Sequence, residues 1–411
     1  MPSKATVSLA QLQAAVMSAL TRNGLPEKAA RSVAKVVADA ERDGATSHGI
    51  FRVPGFLHAL RNCNPTNMEK QPDSTFRWRE PAVADTAPGL VSVDAFGGFA
   101  APAFEAGRSL LVEKARRQGV ACMAVSRTRH FSALWWEVER LAEDGLVSLA
   151  LVNSAAFVAH GPGARTPVYG TNPIAFGCPR PYGLPPLVFD QATAAMARGE
   201  MQLLHRAGLK LPPGVAIDAA GEPTEDPFAA LNSGAQLPAG AHKGANLALL
   251  VEVLAAGLTK SPFAPEAREA LEELKRTTGD DMPLGDSPTI NGELVIALDP
   301  ACFFASDLSE STTEGGGRGG RDSALTERER EGRLLDFSSR VESFLDLLLA
   351  SGATEGQMGE TGPSSLFRLP GSRRHQARSA CEARGFMVDV DAELLRHITE
   401  DLGQKQPADS K

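Results

Sequence analysis

The chain has few cysteines, no long hydrophobic run and no excess of positive charge. Only five of its 411 residues are cysteine, and they include no Cys-x-x-Cys pair, so we expect reduced thiols and a cytoplasmic location. The longest apolar run, residues 247–258, contains Glu252 and is too short to span a membrane. The net charge of -8 at pH 7 argues against binding to nucleic acid. These absences predict a globular protein that has neither a membrane nor a nucleic acid as its partner.

Several common cofactor and catalytic motifs are also absent. No Gly-x-Gly-x-x-Gly follows a predicted strand, which excludes the ordinary Rossmann dinucleotide fingerprint. The sequence has no Walker motif, no Gly-x-Ser-x-Gly and no His-Glu-x-x-His, and no other spacing of metal ligands, so we predict no metal. An enzyme built from this chain would use His, Arg, hydroxyl and carboxylate side chains, and would hold any cofactor in a different kind of pocket.

Residues 43–56 contain hydroxyl, His and Arg side chains close together in the sequence. Ser47, His48 and Arg52 lie where a helix is predicted to begin, and Thr46 or Ser47 can cap it. His48 and Arg52 are one turn apart and would project from the same face. An arginine binds a carboxylate through two charge-assisted hydrogen bonds, and the histidine can donate a proton to the bound molecule. The alternative is a surface helix start with a capping serine and a solvated arginine.

Apolar periodicity and glycine or proline breaks predict a mixed α/β chain. Ser8 and Gln11 form a capping box for a first helix, and Pro26 starts a second. Residues 91–125 predict a strand–helix–strand unit. The nearly all-apolar residues 247–258 predict a buried helix.

The later part of the chain is less regular. Residues 192–207 and 388–402 predict helices, the second with Asp391 near its cap. Residues 261–292 are interpreted as surface decoration. Residues 306–331 are rich in glycine and charge, which is typical of a poorly ordered insert.

Six ordered motifs resemble the malate/L-lactate dehydrogenase-like family of NAD(P)-dependent oxidoreductases. They lie at residues 43–52, 130–134, 152–154, 169–175, 189–193 and 242–244. The Ser-His-Gly-x-Phe-Arg, His-Phe-x-Ala-Leu-Trp and His-Lys-Gly sequences are most similar to the branch that reduces the cyclic imino acids Δ1-piperideine-2-carboxylate and Δ1-pyrroline-2-carboxylate. The resemblance covers residues 5–260 well and the remainder loosely.

The resemblance implies an α/β (α+β) fold with a non-Rossmann NAD(P)-binding domain on a largely antiparallel sheet flanked by helices. A second domain would be built from both chain ends. We expect residues 126–299 to form the cofactor domain, and residues 1–125 with 300–411 to form the substrate and dimerisation domain. The resemblance further implies a homodimer, a small carboxylate substrate, and NADPH or NADH as the cofactor.

The resemblance also implies roles for individual residues. Ser47, His48 and Glu200 correspond to a catalytic relay with His48 as the proton donor, while Arg52 and Thr171 correspond to substrate-binding positions. The cofactor-binding positions are His130, Phe131, Ser132, Ala133, Leu134, Gln191, Ala192, Thr193, His242, Lys243, Arg368, Leu369, Pro370, Gly371, Ser372 and Arg373.

Two positions depart from the family pattern. Ala194 stands where related sequences carry a serine, so one hydroxyl is lost. Arg198, which we assign to substrate binding, stands in an Arg-Gly-Glu sequence where the imino-acid branch has His-Gly-Asp. Glu200 keeps the acid with one extra methylene and is either a relay member or a solvated carboxylate. The change at Arg198 bears on substrate specificity.

The predicted function is NAD(P)H-dependent reduction of Δ1-piperideine-2-carboxylate to pipecolate and of Δ1-pyrroline-2-carboxylate to proline. Arg52 would fix the carboxylate and His48 would protonate the nitrogen. One alternative is an oxidoreductase for 2-hydroxy or 2-oxo acids of the malate, lactate, ureidoglycolate or diketogulonate type. The other is a non-catalytic homologue that still binds the nucleotide, which Ala194 and Arg198 suggest.

Overall fold

The computed structural model of the chain describes most of the sequence. The described residues are 3–62, 68–70, 76–130, 133–161, 163–164, 166–278, 289–304, 325–351 and 368–401. Within these ranges, no helix is long and apolar enough to cross a membrane.

The N-terminal part consists of a strand and three helices. The elements are β1 (Lys4–Ser8), α1 (Leu9–Arg22), α2 (Glu27–Arg42), two 3-10 turns (Thr46–His48 and Ile50–Arg52) and α3 (Val53–Asn62). The predicted capping box is present, because Gln11 N–H donates to Ser8 Oγ at 3.2 Å and Ser8 N–H donates to Gln11 Oε1 at 3.0 Å. Pro26 directly precedes α2, as predicted.

The middle of the chain supplies most of the strands. In order, the elements are β2 (Met68–Lys70), β3 (Phe76–Trp78), β4 (Ala82–Ala87), β5 (Leu90–Asp94), α4 (Ala100–Gln118), β6 (Val120–Thr128), α5 (Trp135–Glu143), β7 (Val147–Val152), β8 (Val158–Ala159), β9 (Pro167–Tyr169), β10 (Ile174–Cys178) and β11 (Leu187–Gln191). The strand–helix–strand unit predicted at residues 91–125 is therefore confirmed as β5, α4 and β6.

The remaining elements complete the molecule. They are α6 (Arg198–Arg206), β12 (Ala216–Ile217), α7 (Pro227–Asn232), β13 (Ala235–Gln236), α8 (His242–Val251), a π-helical turn (Glu252–Gly257), α9 (Ala264–Thr278), β14 (Asn291–Leu298), α10 (Pro300–Phe303), α11 (Glu327–Ser351), α12 (Ser372–Ala383), β15 (Met387–Asp391), α13 (Ala392–Arg396) and a second π-helical turn (His397–Asp401).

A seven-stranded sheet forms the centre, in the order β11-β10-β7-β14-β6-β5-β4. The β5–β6 pair is parallel, and the other described neighbours in this sheet are antiparallel. The predicted largely antiparallel sheet is thus confirmed. Alternate residues such as Val93, Met123 and Val295 pack against Phe104 of α4 and Leu141 of α5 in one apolar core.

The two ends of the described chain join in a second core. Strand β1 pairs antiparallel with β15, in a register that places Lys4 opposite Asp391. Leu12 and Val33 from the N-terminal helices share one apolar cluster with Val390 and Ile398. The boundaries proposed at residues 125 and 299 remain a prediction; the central sheet takes β4 and β5 from before residue 125.

Three expectations about helices were wrong in part. Residues 387–391 form β15 rather than a helix, because their backbone pairs with β1; Asp391 is nevertheless the N-cap of the helix that follows. Helix α6 begins only at Arg198, and Ala194 before it forms a β-bridge with Pro238. The segment at residues 247–258 is helical, but only one face is buried. Val251 and Ala255 are 0% exposed, whereas Leu249 and Val253 are 52% and 51% exposed.

The structure tests part of what was expected of the cysteines and of the two inserts. Cys122, Cys178, Cys302 and Cys381 are free thiols, and Cys63 lies outside the described residues. Residues 261–292 include α9, which was not predicted. Of the insert at residues 306–331, residues 306–324 lie outside the described part, and α11 begins at Glu327.

Candidate active site

A cavity of about 550 Å³ lies where three distant parts of the chain meet. The 3-10 turns before α3 form one wall, and the start of α12 with the residues just before it forms another. The turn after β9 and the segment from β11 to the start of α6 form the third wall. The predicted site residues that line it are His48, Arg52, Thr171, Ala192, Arg198, Arg368, Leu369, Gly371, Ser372 and Arg373. The structure thus brings together residues that are far apart in the sequence.

Ser47 and His48 are in direct contact. Ser47 Oγ lies 3.0 Å from His48 Nδ1, so the hydroxyl occupies one ring nitrogen and leaves Nε2 for another partner. Burial lowers the pKa of His48 to about 3, and the positive charges of Arg52 and His130 act in the same direction. The imidazole is therefore neutral at physiological pH before any anion binds.

Arg52 is held by the backbone of the same turn. Its Nε donates to the Ser47 carbonyl oxygen at 2.8 Å, which fixes the guanidinium beside His48. Gly199, the second residue of α6, packs so closely that an added Cβ would clash with Arg52 Nη2. A residue without a side chain at this position lets the start of α6 close over the arginine.

Arg198 places a second guanidinium at the cavity. Its Nη2 donates to the Leu231 carbonyl oxygen at 3.1 Å, and its Cζ lies 3.9 Å from the ring centroid of Phe157. Its Nε is buried without a hydrogen-bond partner among the described residues. Burial lowers the pKa of Arg198 to about 9, with Arg268 and Arg52 contributing, so the side chain still carries its charge at neutral pH.

Thr171 is positioned by a tight turn after β9. Its N–H donates to Ser154 Oγ at 3.1 Å, and its carbonyl oxygen accepts from Thr193 N–H at 3.0 Å. The next residue, Asn172, has a left-handed φ of 41° and donates to Glu252 Oε1 at 2.8 Å. This buried amide–carboxyl contact fixes the turn and the cavity wall that it forms.

The segment from Arg368 to Arg373 contributes positive charge to the opposite wall. Gly371 has a left-handed φ of 83° immediately before α12, whose first residues face the cavity. A helix N-terminus carries partial positive charge and free N–H groups, which suit phosphate. Arg374, which the sequence analysis missed, also lines the cavity, with its Cζ 4.4 Å from the Trp135 ring centroid. Its position next to Arg373 was the available signal.

Asp190 is the acidic residue in the cavity wall. Its Oδ2 accepts from Trp135 N–H at 3.0 Å. Burial raises the pKa of Asp190, which opposes a negative charge at this point of the wall. The wall is therefore dominated by arginines, as a site for anionic ligands requires.

Other predicted positions lie away from the cavity surface. Ala133, Leu134 and Thr193 are at most 4% exposed and belong to the interior. The solvent-exposed positions are Gln191, Glu200, His242, Lys243 and Pro370. Phe131 and Ser132 lie outside the described residues. The roles given to all these residues remain predictions.

His130 belongs to a buried cluster that the sequence analysis missed. Its Nε2 lies 3.3 Å from Glu137 Oε1, and Glu293 of β14 lies beside Glu137. Glu137 and Glu293 are 2% and 0% exposed. Glu293, the one charged residue of strand β14, was the only sequence signal for this cluster.

Curated relatives resemble the chain over nearly its whole length. A Δ1-pyrroline-2-carboxylate/Δ1-piperideine-2-carboxylate reductase from Pseudomonas putida is 38% identical over 410 residues, covering 98% of this chain and 99% of the relative. A protein of the same name from Pseudomonas aeruginosa is 44% identical over 304 residues, covering 74% of this chain and 84% of that relative.

Solved structures show the same fold. The crystal structure of Δ1-piperideine-2-carboxylate reductase from Pseudomonas syringae pv. tomato matches with a TM-score of 0.74 at 36% identity, covering 96% of this chain and 99% of that one. Malate dehydrogenase from Entamoeba histolytica has a TM-score of 0.74 at 20% identity and covers 98% of this chain, which shows the fold alone.

The family model described as malate/L-lactate dehydrogenase matches residues 7–331. This match, together with the relatives, confirms the family and the non-Rossmann α/β fold that the sequence motifs predicted. The chain belongs to the malate/L-lactate dehydrogenase family.

Proposed function

We propose that the protein reduces cyclic imino acids with a nicotinamide cofactor, converting Δ1-piperideine-2-carboxylate to pipecolate and Δ1-pyrroline-2-carboxylate to proline. The observation that carries the proposal is the contact of His48 and Arg52 with the same residue, Ser47, at the wall of one cavity. The relatives that match most of the chain are named as reductases of these two imines.

Arg52 binds the substrate carboxylate in this proposal. A guanidinium offers two parallel N–H donors to a carboxylate, and this pairing is both strong and directional. Arg52 Nε is held by the Ser47 carbonyl oxygen, which places the guanidinium beside His48. The carboxylate also offsets the positive charge of Arg52.

His48 is the proton donor in this proposal. Reduction of the C=N bond adds a hydride to carbon and a proton to nitrogen, so a proton-holding group must stand near the nitrogen. The positive charge of Arg52 lowers the pKa of His48, and a bound carboxylate weakens that effect. Substrate binding therefore makes His48 more basic, while Ser47 Oγ holds its Nδ1 and leaves Nε2 directed to the reaction.

The cofactor is NADPH in this proposal, with NADH as the alternative. Supporting a dinucleotide, Arg368, Arg373 and the N-terminus of α12 present positive charge along one wall of the cavity. The extra arginine charge favours the additional phosphate of NADPH. When bound, the cofactor supplies the hydride. Lys243, an exposed residue in the first turn of α8, would add a further phosphate ligand.

We further propose a cytoplasmic homodimer. Supporting a dimer, α8 and the π-helical turn after it expose a row of apolar side chains. Leu247, Leu249, Leu250, Val253 and Leu258 are between 41% and 62% exposed. An apolar helix face of this kind is typical of a surface covered by a partner. Light scattering would give the mass in solution, and a monomer would contradict the assembly.

The deciding experiment is the loss of NADPH absorbance with purified protein. The substrates are the two cyclic imino acids, then pyruvate, oxaloacetate and 2,3-diketogulonate, and the series is repeated with NADH. Turnover of the imino acids supports the proposal, and turnover of the open-chain oxo acids alone would move the protein to the 2-oxo acid alternative. Binding of NADPH without turnover of any substrate would favour the non-catalytic alternative.

A further inference from the structure

Apart from the arginines at residues 368–374, the cavity wall carries two guanidinium groups, those of Arg52 and Arg198, and a single substrate carboxylate accounts for only one of them. We propose that the preferred substrate is a cyclic imine with a second anionic group, and that Arg198 binds this second group while Arg52 binds the 2-carboxylate. This inference rests on the function proposed above and adds a substrate class to it: a cyclic imino dicarboxylate.

The two arginines face the same region of the cavity. Arg52 Nη2 packs against Gly199, the residue that follows Arg198 at the start of α6. Arg52 and Arg198 both line the cavity. A ligand held by Arg52 therefore lies beside the helix start that carries Arg198.

Arg198 makes no ion pair with any acidic residue in the part of the chain that the structure describes. Its contacts are the Leu231 carbonyl oxygen and the face of Phe157, which are both uncharged. Its cationic neighbour Arg268 already pairs with Glu272 at 2.8 Å. A desolvated cation without a counter-ion is costly, and an anionic ligand relieves that cost.

The acidic residues around the cavity do not provide the missing charge. Asp190 accepts from Trp135 N–H, and burial raises its pKa. Glu200 on α6 is exposed and makes no described ion pair with Arg198. An anion that enters with the substrate would satisfy Arg198, and a carboxylate is the natural partner because it matches the arginine fork.

The test compares two six-membered imines that differ by one carboxylate: Δ1-piperideine-2-carboxylate and its 2,6-dicarboxylate. We expect kcat/KM for the dicarboxylate to exceed that for the monocarboxylate by about tenfold in the unchanged protein, because a hydrogen bond to a charged group is worth this much. Arg198→Met should remove this preference, because it should lower kcat/KM for the dicarboxylate about tenfold more than kcat/KM for the monocarboxylate. Arg198→Lys, which keeps the charge, should retain part of the preference.

Arg206→Met is the matched control, because Arg206 lies on the same helix but pairs with Asp391 and does not line the cavity. This variant should keep the preference, and binding of NADPH to Arg198→Met would show that the variant is folded. Faster turnover of the monocarboxylate by the unchanged protein would overturn the assignment of Arg198 but leave the proposed function intact. Turnover of neither imine would remove the proposed function and this assignment with it.

Discussion

Glu137 and Glu293 lie side by side in the protein interior, and their carboxyl oxygens and a ring nitrogen of His130 all fall within 4.8 Å of one another. Burial raises the pKa of Glu137 to about 7 and raises that of Glu293 well above its usual value, with Glu137 adding to the second shift. Two adjacent buried carboxylates repel, so we expect the pair to share a proton at neutral pH. The groups that act electrostatically on this pair are His130, Asp190 and Glu105.

Replacing Glu293 by glutamine should stabilise the protein above neutral pH. A carboxyl group whose pKa is raised in the folded state opposes folding once the unfolded chain releases the proton, so stability falls as pH rises from about 4.5 through about 7 and beyond. Glutamine can still donate to Glu137 and has no proton to lose. We expect a gain of about 1 kcal/mol or more at pH 8 and no gain near pH 4.

Thermal unfolding of Glu293→Gln and of the unchanged protein between pH 4 and pH 9 measures this effect. Exposed Glu269→Gln on α9 serves as the control, and its pH profile should match that of the unchanged protein. A Glu293→Gln variant that is less stable at pH 8 would contradict the shared proton. Stabilisation of the unchanged protein by Mn²⁺ or Zn²⁺ would instead indicate a metal site at this cluster.

His48→Ala should abolish turnover while leaving nucleotide binding nearly intact. The imidazole is the proton-holding group of the proposed reaction, and loss of a general acid typically costs a hundredfold or more in kcat. The measurement is kcat for the cyclic imines together with the Kd for NADPH. His160→Ala, an exposed histidine outside the cavity wall, is the control and should keep full activity. Full activity of His48→Ala would show that the proton comes from elsewhere.

Arg52→Lys should raise KM for the imino acid by about tenfold with a smaller effect on kcat. Lysine keeps the positive charge but cannot reproduce the two parallel donors, and it loses the Nε contact with the Ser47 carbonyl oxygen. Steady-state kinetics separates the two constants. Arg31→Lys, in an exposed pair with Glu27, controls for the substitution itself. An unchanged KM would remove Arg52 from carboxylate binding.

Gly199→Ala should weaken substrate binding more than it weakens the fold. The added Cβ meets the end of the Arg52 side chain, which is flexible and can move aside, so the guanidinium is displaced at small cost in stability. We expect a raised KM and a melting temperature within a few degrees of the original. Gly161→Ala, which has open space around its Cα, is the matched control. A large loss of stability without a change in KM would contradict this role of Gly199.

Local signals predicted the parts of the fold that depend on neighbouring residues. The capping box at Ser8 and the strands on either side of α4 follow from short-range chemistry. The pairing of β1 with β15 joins residues at opposite ends of the chain, and residues 388–391 alone were compatible with a helix. An apolar run in the sequence also does not show which of its side chains the rest of the chain will cover. For this reason the sequence predicted a fully buried helix at residues 247–258, of which only one face is buried.

The candidate site likewise contains residues that the sequence predicted and residues that it missed. His48 and Arg52 were predicted because their spacing carries chemistry, and Arg198 because it occupies a position in a motif. Arg374 and the pair of Glu137 with Glu293 were missed, because only folding brings these residues to the cavity or to each other. Spacing along the chain holds no information about such contacts.

The pairing of β1 with β15 sets an order of events during synthesis. The ribosome releases residues 4–8 first, yet their hydrogen-bonding partners at residues 387–391 are made near the end of the described chain. The wall of the cavity at residues 368–374 is equally late. The nascent chain can therefore build most of its central sheet on the ribosome, but it completes its N-terminal core and the cavity wall only after residues 368–391 have been made.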